Sequence, residues 1–177
     1  MKRKPSPVRL PVPARLAACA LLCLLLAGGC AEKRVPPPGA AEGSRIETRQ
    51  VMDKKAAAVI RTARSLIGVR YKWGGDSPKT GFDCSGLAWY VFTRNGASLP
   101  RLSWQQFGAG SAVGGDLRPG DLIFHQVDKK KSGLHVGIVT ERGTFIHAPS
   151  TGKQVMESPI ANPYWREHYL GARRVLE

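Results

Sequence analysis

The chain has 177 residues, 42% of them hydrophobic and 23% charged, with four cysteines and 27 Lys+Arg against 13 Asp+Glu for a formal net charge of +14. That length fits about one domain, and the composition excludes wholesale disorder, a collagen, a coiled coil and a disulfide scaffold. No apolar run reaches the roughly 20 residues of a membrane-spanning helix, which excludes a polytopic membrane protein.

The charge is partly an N-terminal feature. Lys2, Arg3, Lys4, Arg9 and Arg15 precede an apolar run at 16–27, and no acidic residue comes before Glu32. Setting these five aside leaves 22 basic and 13 acidic residues, a net of +9. The remaining basic residues are scattered and carry no nucleic-acid-binding motif, so no nucleic acid is expected as a partner. A charged n-region followed by an apolar h-region reads as a secretory signal. Small residues Ala27, Gly28 and Gly29 lead into Cys30. The segment resembles a bacterial lipoprotein signal, which implies a signal peptide at 1–29 and lipidation of Cys30. Cys19 also has Leu three residues before it, but no apolar run precedes it. An ordinary secreted protein cut near Cys30 is the alternative. Ala31 in place of Asp after the cysteine implies an outer-membrane address facing the periplasm, with the membrane reached through the lipid anchor.

Residues 30–50 are rich in Pro, Gly, Ala and charge and read as a flexible or partly extended tether. The domain proper is expected at 51–177. A helix is expected over 52–67, where Val59, Ala63 and Leu66 recur at helical spacing and Gly68 is a stop. A short extended piece and turn follow at 71–76. A second helix is expected over 84–94, with Asp83 as its N-cap and Asn95-Gly96 as its end. A short helix or turn is expected at 103–108. After Arg118-Pro119-Gly120 the pattern changes to strands at 121–127, 134–140, 144–148, 154–157 and 170–176. Helices first and short-looped strands afterwards predict an α+β fold with an antiparallel sheet.

Loss of Cys19 and Cys23 with the signal, and of Cys30 to a lipid, leaves Cys84 as the one thiol. A lone cysteine in an exported protein is either a small buried hydrophobe or a reactive nucleophile. Cys84 stands at the first turn of its helix, where unpaired N–H groups and the dipole stabilise a thiolate, and the small residues Ser85 and Gly86 follow. The expectation is therefore a lowered pKa, with Asp83 turned toward backbone N–H groups rather than the sulfur. A thiol nucleophile calls for a histidine base. His168 reads as an exposed tail residue and His125 as a half-buried strand residue. A three-residue loop at 141–143 would place His147 opposite Gly137 and on the same face as His135. A two-residue loop at 142–143 would put the two histidines on opposite faces. One cysteine and two histidines without tight spacing match a zinc site poorly, so no metal or other cofactor is expected.

Tyr71-Lys72-Trp73-Gly74-Gly75, Asp83-Cys84-Ser85-Gly86-Leu87, Leu99-Pro100-Arg101 with Ser103 and Gln106, Pro119-Gly120-Asp121-Leu122-Ile123-Phe124, His135-Val136-Gly137-Ile138-Val139 and Ile146-His147-Ala148-Pro149 occur in that order. Together they resemble the NlpC-type cell-wall cysteine peptidases. The resemblance implies a papain-like α+β fold with the cysteine helix packed on an antiparallel sheet. It implies Cys84 as nucleophile, His135 as base and His147 as the orienting third residue. It further implies that the Tyr71 hydroxyl lies beside the thiol, helping to bind substrate or oxyanion, and that Asp83 and Ser85 line the substrate groove. The implied activity is peptidoglycan endopeptidase cleavage of stem or cross-link peptides, with peptidoglycan as partner and no regulatory adaptor identified. The alternatives are a cysteine-dependent acyl or amide transferase on the same scaffold and a non-catalytic wall-binding lipoprotein. His125 departs from the usual aromatic residue, and the basic loop Lys129-Lys130-Lys131 has no role carried over.

Overall fold

The computed structural model describes residues 40–127 and 133–176. The expected signal peptide, Cys30, the first part of the tether and the lysines at 129–131 lie outside the described residues. The first helix, α1, is Ala40–Arg64, so it starts at 40 rather than 52 and takes in the second half of the segment read as a tether. The Pro run stops at Pro38, and Ala, Glu and Arg, which favour helix, predominate in the next stretch. Its buried stripe of Ala56, Val59, Ile60 and Ala63 has the expected helical spacing. The helix ends three residues early because the chain turns through 65–68, where Gly68 has φ +93° and its N–H reaches the Val155 carbonyl at 2.9 Å.

A small hairpin, β1 (Asp76–Ser77) and β2 (Gly81–Phe82), leads into α2, Cys84–Arg94. Both bounds of α2 are those expected. The Asp83 carboxylate accepts the Gly86 N–H at 2.6 Å, and the helix closes at Asn95-Gly96, with Gly96 at φ +76°. A four-residue helix α3, Ser103–Gln106, follows. The strands are β3 (Ser111–Ala112), β4 (Leu122–Gln126), β5 (Leu134–Val139), β6 (Thr144–His147), β7 (Met156–Pro159) and β8 (Tyr169–Arg174), with α4 (Pro163–Glu167) before the last. Their order in the sheet is β3-β8-β4-β5-β6-β7, and every pairing is antiparallel. The fold is α+β and papain-like, as the sequence implied. Sequence reading missed β3, two exposed residues paired with β8, and α4.

The pleat gives the sheet two different faces. Leu122, Phe124, Val136, Ile138 and Ile146 pack with Leu87, Ala88, Val91 and Phe92 of α2 and with Val59 and Ala63 of α1. Burial of each large apolar side chain contributes about 1.5–3 kcal/mol, which fixes α2 on this face. Ile123, Val139 and Phe145 point the other way, toward Leu117, Ile160 and Trp165. By the two-residue period, His125, His135 and His147 belong to that second face.

The first turn of α2 is held against the turn before β1 with no room to spare. A Cβ on Gly86 would collide with the Gly75 carbonyl oxygen and come within 2.9 Å of the Arg101 guanidinium. Gly86→Ala should therefore destabilise the fold by about 1–3 kcal/mol, the usual cost of overpacking. Gly114→Ala, where nothing lies within 4 Å of the added carbon, should be close to neutral. Denaturant midpoints for the two variants test this; equal midpoints would mean the contact at Gly86 yields freely.

Candidate active site

The site begins at the N-terminus of α2. The Gly86 N–H is taken by the Asp83 side chain and the Leu87 N–H by the Asp83 carbonyl at 3.0 Å. The N–H groups of Cys84 and Ser85 remain, and both are directed at the Cys84 sulfur. Asp83 is itself tied down. Its Oδ1 accepts from Ser85 Oγ at 3.1 Å and Arg101 Nη1 at 3.0 Å; its Oδ2 accepts from Gly74 N at 2.9 Å and Arg101 Nη2 at 2.8 Å. Arg101 also donates to the Gly75 carbonyl and to Ser85 Oγ, each at 3.0 Å. One arginine thus joins the 72–75 turn to the head of α2. Asp83 and Ser85, at 14% side-chain and 6% residue exposure, are committed to this knot.

The sulfur meets β5 at its edge. Pairing with β6 covers Ile138 and Val139, which leaves the first half of β5 open on that side. Cys84 Sγ lies 3.9 Å from the Leu134 carbonyl oxygen, and the Val136 N–H is directed at the sulfur. The residue between those two backbone groups is His135. The half-buried Tyr71 packs on the same core, and its hydroxyl pKa is raised by burial and then by the charges of Cys84 and Asp83.

The histidines form a relay. The Thr140 N–H bonds the Thr144 carbonyl at 2.9 Å, so the loop is the three-residue alternative, and β5 and β6 pair Ile138 with Ile146. Continued by one residue, that register sets His147 opposite Gly137. His135 Nε2 lies 2.8 Å from His147 Nδ1, and His147 Nε2 lies 2.8 Å from Ser158 Oγ. Because Nε2 is taken, Nδ1 is the ring nitrogen of His135 left for another partner. A base there must be unprotonated, which puts the His135 proton on Nε2, makes His147 Nδ1 an acceptor and leaves its Nε2–H to donate to Ser158. The third imidazole, His125, pairs across the strands with His135 and is 1% exposed, more deeply buried than expected. Burial lowers the pKa of all three: His135 well below the ordinary value, His147 to about 3 and His125 to about 4. His168 is half-buried rather than exposed, with Nδ1 2.8 Å from the Tyr164 carbonyl oxygen.

One expectation is reversed. The thiol was expected to be acidified by the helix terminus. Burial instead pushes Cys84 up to about 11; the N–H groups of Val136, Ser85 and Cys84 pull downward without overcoming it, and the Asp83 charge adds to the rise. The residue retains some exposed surface, but its sulfur sits where water no longer solvates a charge well. Burial thus favours the neutral thiol at Cys84 and the neutral imidazole at His135.

Sequence reasoning also missed Ser158, Trp165 and the role of Arg101. Trp165 stacks on His135 with ring centroids 5.2 Å apart and planes 19° apart. Asn162-Pro163 was the signal for its helix: the Asn162 side chain caps the Tyr164 N–H at 2.9 Å, and proline sits at the first helical position.

A cysteine at a helix N-terminus, backed by two hydrogen-bonded histidines on an antiparallel sheet, defines a papain-like cysteine site. The family model for the NlpC/P60 family matches residues 68–174, and the chain belongs to that family. It is 34% identical over 142 residues to murein DD-endopeptidase MepH of Escherichia coli, which covers 77% of this chain and 52% of MepH. It is 36% identical over 157 residues to probable endopeptidase NlpC of the same organism, covering 88% of this chain and 96% of that protein. The chain therefore spans about half of MepH and nearly all of NlpC. A crystal structure of an NlpC/P60 family protein from Bacillus cereus superposes with a TM-score of 0.64 at 37% identity, over 69% of this chain and 40% of that one.

The raised thiol pKa makes a direct prediction. Alkylation of Cys84 by iodoacetamide should be slow at pH 6–7 and its rate should still be climbing above about pH 9, because only thiolate reacts. A rate already level by about pH 7 would show an acidified thiolate and overturn the neutral-pair assignment.

Proposed function

We propose that the protein is a peptidoglycan endopeptidase that hydrolyses peptide bonds in stems or cross-links through Cys84, His135 and His147. The observation that carries this is the 2.8 Å bond from His135 to His147, with Cys84 Sγ 3.9 Å from the carbonyl oxygen of Leu134, the residue next to His135. Membership of a family whose relatives are named as murein and peptidoglycan hydrolases supports the substrate. Since both partners rest neutral, the thiol proton passes to His135 Nδ1 as the sulfur attacks the carbonyl carbon. The carbonyl π electrons become an oxyanion, which the N–H groups of Cys84 and Ser85 turn to from the sulfur, with the Tyr71 hydroxyl as a further donor. The tetrahedral species collapses, the C–N bond breaks, and His135 returns the proton to the leaving amine. Water then hydrolyses the thioester by the same base. His147, held by Ser158, keeps His135 in the required tautomer.

Purified peptidoglycan incubated with the protein should yield new muropeptides by mass spectrometry, and their masses name the bond. Cys84→Ser should fold and be inactive. His135→Ala should lose about 10²–10⁴-fold, the range for a positioned general base, and His147→Ala less. Undiminished cleavage by His135→Ala would remove it from the base role.

We also propose that Cys30 is lipidated after removal of residues 1–29 and that the anchor places the domain in the periplasm, on the outer membrane. The n-region, h-region and small residues before Cys30 support this. Metabolic labelling with a fatty acid should mark the wild type and not Cys30→Ala; equal labelling of both would refute it.

A further inference from the structure

Trp165 is the one described aromatic side chain in ring contact with all three buried imidazoles. It stacks on His135 as given above, meets His147 edge-on at 5.0 Å and 87°, and lies 4.8 Å from His125 at 56°. Its far edge meets Phe145 at 5.2 Å and 89°. The imidazoles beneath it are 4%, 1% and 1% exposed for His135, His147 and His125, whereas Trp165 is only half-buried. The indole is therefore part of the layer that separates the histidines from solvent.

Two restraints act on the His135 ring, and the second is the indole. The χ2 torsion of histidine is broad and poorly held by rotamer preference. The bond to His147 pins Nε2 but leaves the ring able to swing about that contact. A nearly parallel indole at 5.2 Å restricts the swing and so fixes where Nδ1 points. We propose that Trp165 is a positioning residue for the base: its face sets the ring plane of His135, and its bulk keeps water out of the imidazole cluster, so that Nδ1 stays unprotonated and aimed at the Cys84 thiol.

This rests on the catalytic reading of Cys84 and His135. The titratable groups that bear on His135 are His125 from β4 and His147 from β6; Cys84 from α2 meets the backbone on either side of it, with the Asp83 charge acting on the thiol and His168 and Tyr169 next to His125. Burial is the largest cause of the low His135 pKa, ahead of the two neighbouring imidazoles. Water admitted to the cluster should therefore return His135 toward the ordinary value of about 6.5.

The test uses Trp165→Ala and Trp165→Phe in the full chain, with two readouts. By NMR, the His135 ring in the wild type should not titrate between about pH 5 and 8, whereas in folded Trp165→Ala it should titrate near pH 6.5. On peptidoglycan-derived peptides, Trp165→Ala should lower kcat by on the order of 10²-fold with KM nearly unchanged, as for a misaimed reacting group. The acid limb of its pH profile should move up toward pH 6.5. Trp165→Phe, which keeps a flat face, should recover most of kcat and leave His135 silent. A folded Trp165→Ala with wild-type kcat and a silent His135 overturns the proposal, as does a Trp165→Phe no better than Trp165→Ala. Should Trp165→Ala fail to fold, Trp165→Leu fills the volume without a flat face. A kcat well below that of Trp165→Phe supports the stacking role, and a kcat equal to wild type overturns it. A wild type that cleaves no peptidoglycan, together with a His135 that titrates only in Trp165→Ala, would refute the substrate assignment and leave the positioning role standing.

Discussion

The pleat of β5 is the constraint from which the site follows. Val136 and Ile138 are buried beneath α2, so His135 must face the opposite side of the sheet. A helix packed on one face could not bring a side chain to a histidine on the other through the sheet. It can do so only around an edge, and β5 has one because β6 pairs with its second half alone. The first residue of α2 reaches that edge, where Leu134 and Val136 offer a carbonyl and an N–H to the sulfur. The remaining requirements are positional. The helix must begin at Cys84, which the Asp83 cap ensures, and its first turn must be locked, which the close approach at Gly86 and the Arg101 knot achieve.

The second determinant is dryness. Three neutral imidazoles and a thiol are packed together among aromatic rings, and burial disfavours the charged form of each. An ion pair formed in advance would have to be maintained in that environment without substrate. A neutral pair avoids this, because in the proposed reaction charge arises only as the carbonyl is attacked. The stacked indole and the bond to Ser158 bear on the same pair of imidazoles, His135 and His147.

What the sequence disclosed was local. The bounds of α2 follow from Asp83 and Asn95-Gly96, signals within a residue of the helix they delimit. The β5–β6 register follows from a loop of three residues, and with it the pairing of His135 and His147. The start of α1 at Ala40 was hidden by the Gly and Pro content just upstream, which outweighed the helix formers after it. Ser158 arrives from β7 and Trp165 from α4, 11 and 30 residues beyond the histidines they touch, counting from His147 and His135 respectively. No spacing rule links them, so only the β6–β7 register and the path of α4 reveal the contacts. The direction of the Cys84 shift was misread for a related reason. The helix terminus is visible in the sequence, whereas the burial that outweighs it is a property of the assembled fold.

Asp83 shows how such demands are reconciled at one residue. A carboxylate one residue from the nucleophile raises the thiol pKa and opposes ionisation, which makes it an unpromising cap. A serine would cap the helix without charge, but its single oxygen could not also receive Gly74 and both prongs of a guanidinium. The two oxygens of Asp83 accept five donors, from Gly74, Ser85, Gly86 and twice from Arg101. Arg101 compensates the negative charge where it arises and, through its bond to Gly75, ties the turn that carries Tyr71 to the helix that carries Cys84. The charge of Asp83 thus serves to recruit the arginine, and its effect on the thiol is the residue of an interaction whose main consequence is to hold Cys84 and the turn after Tyr71 in one frame.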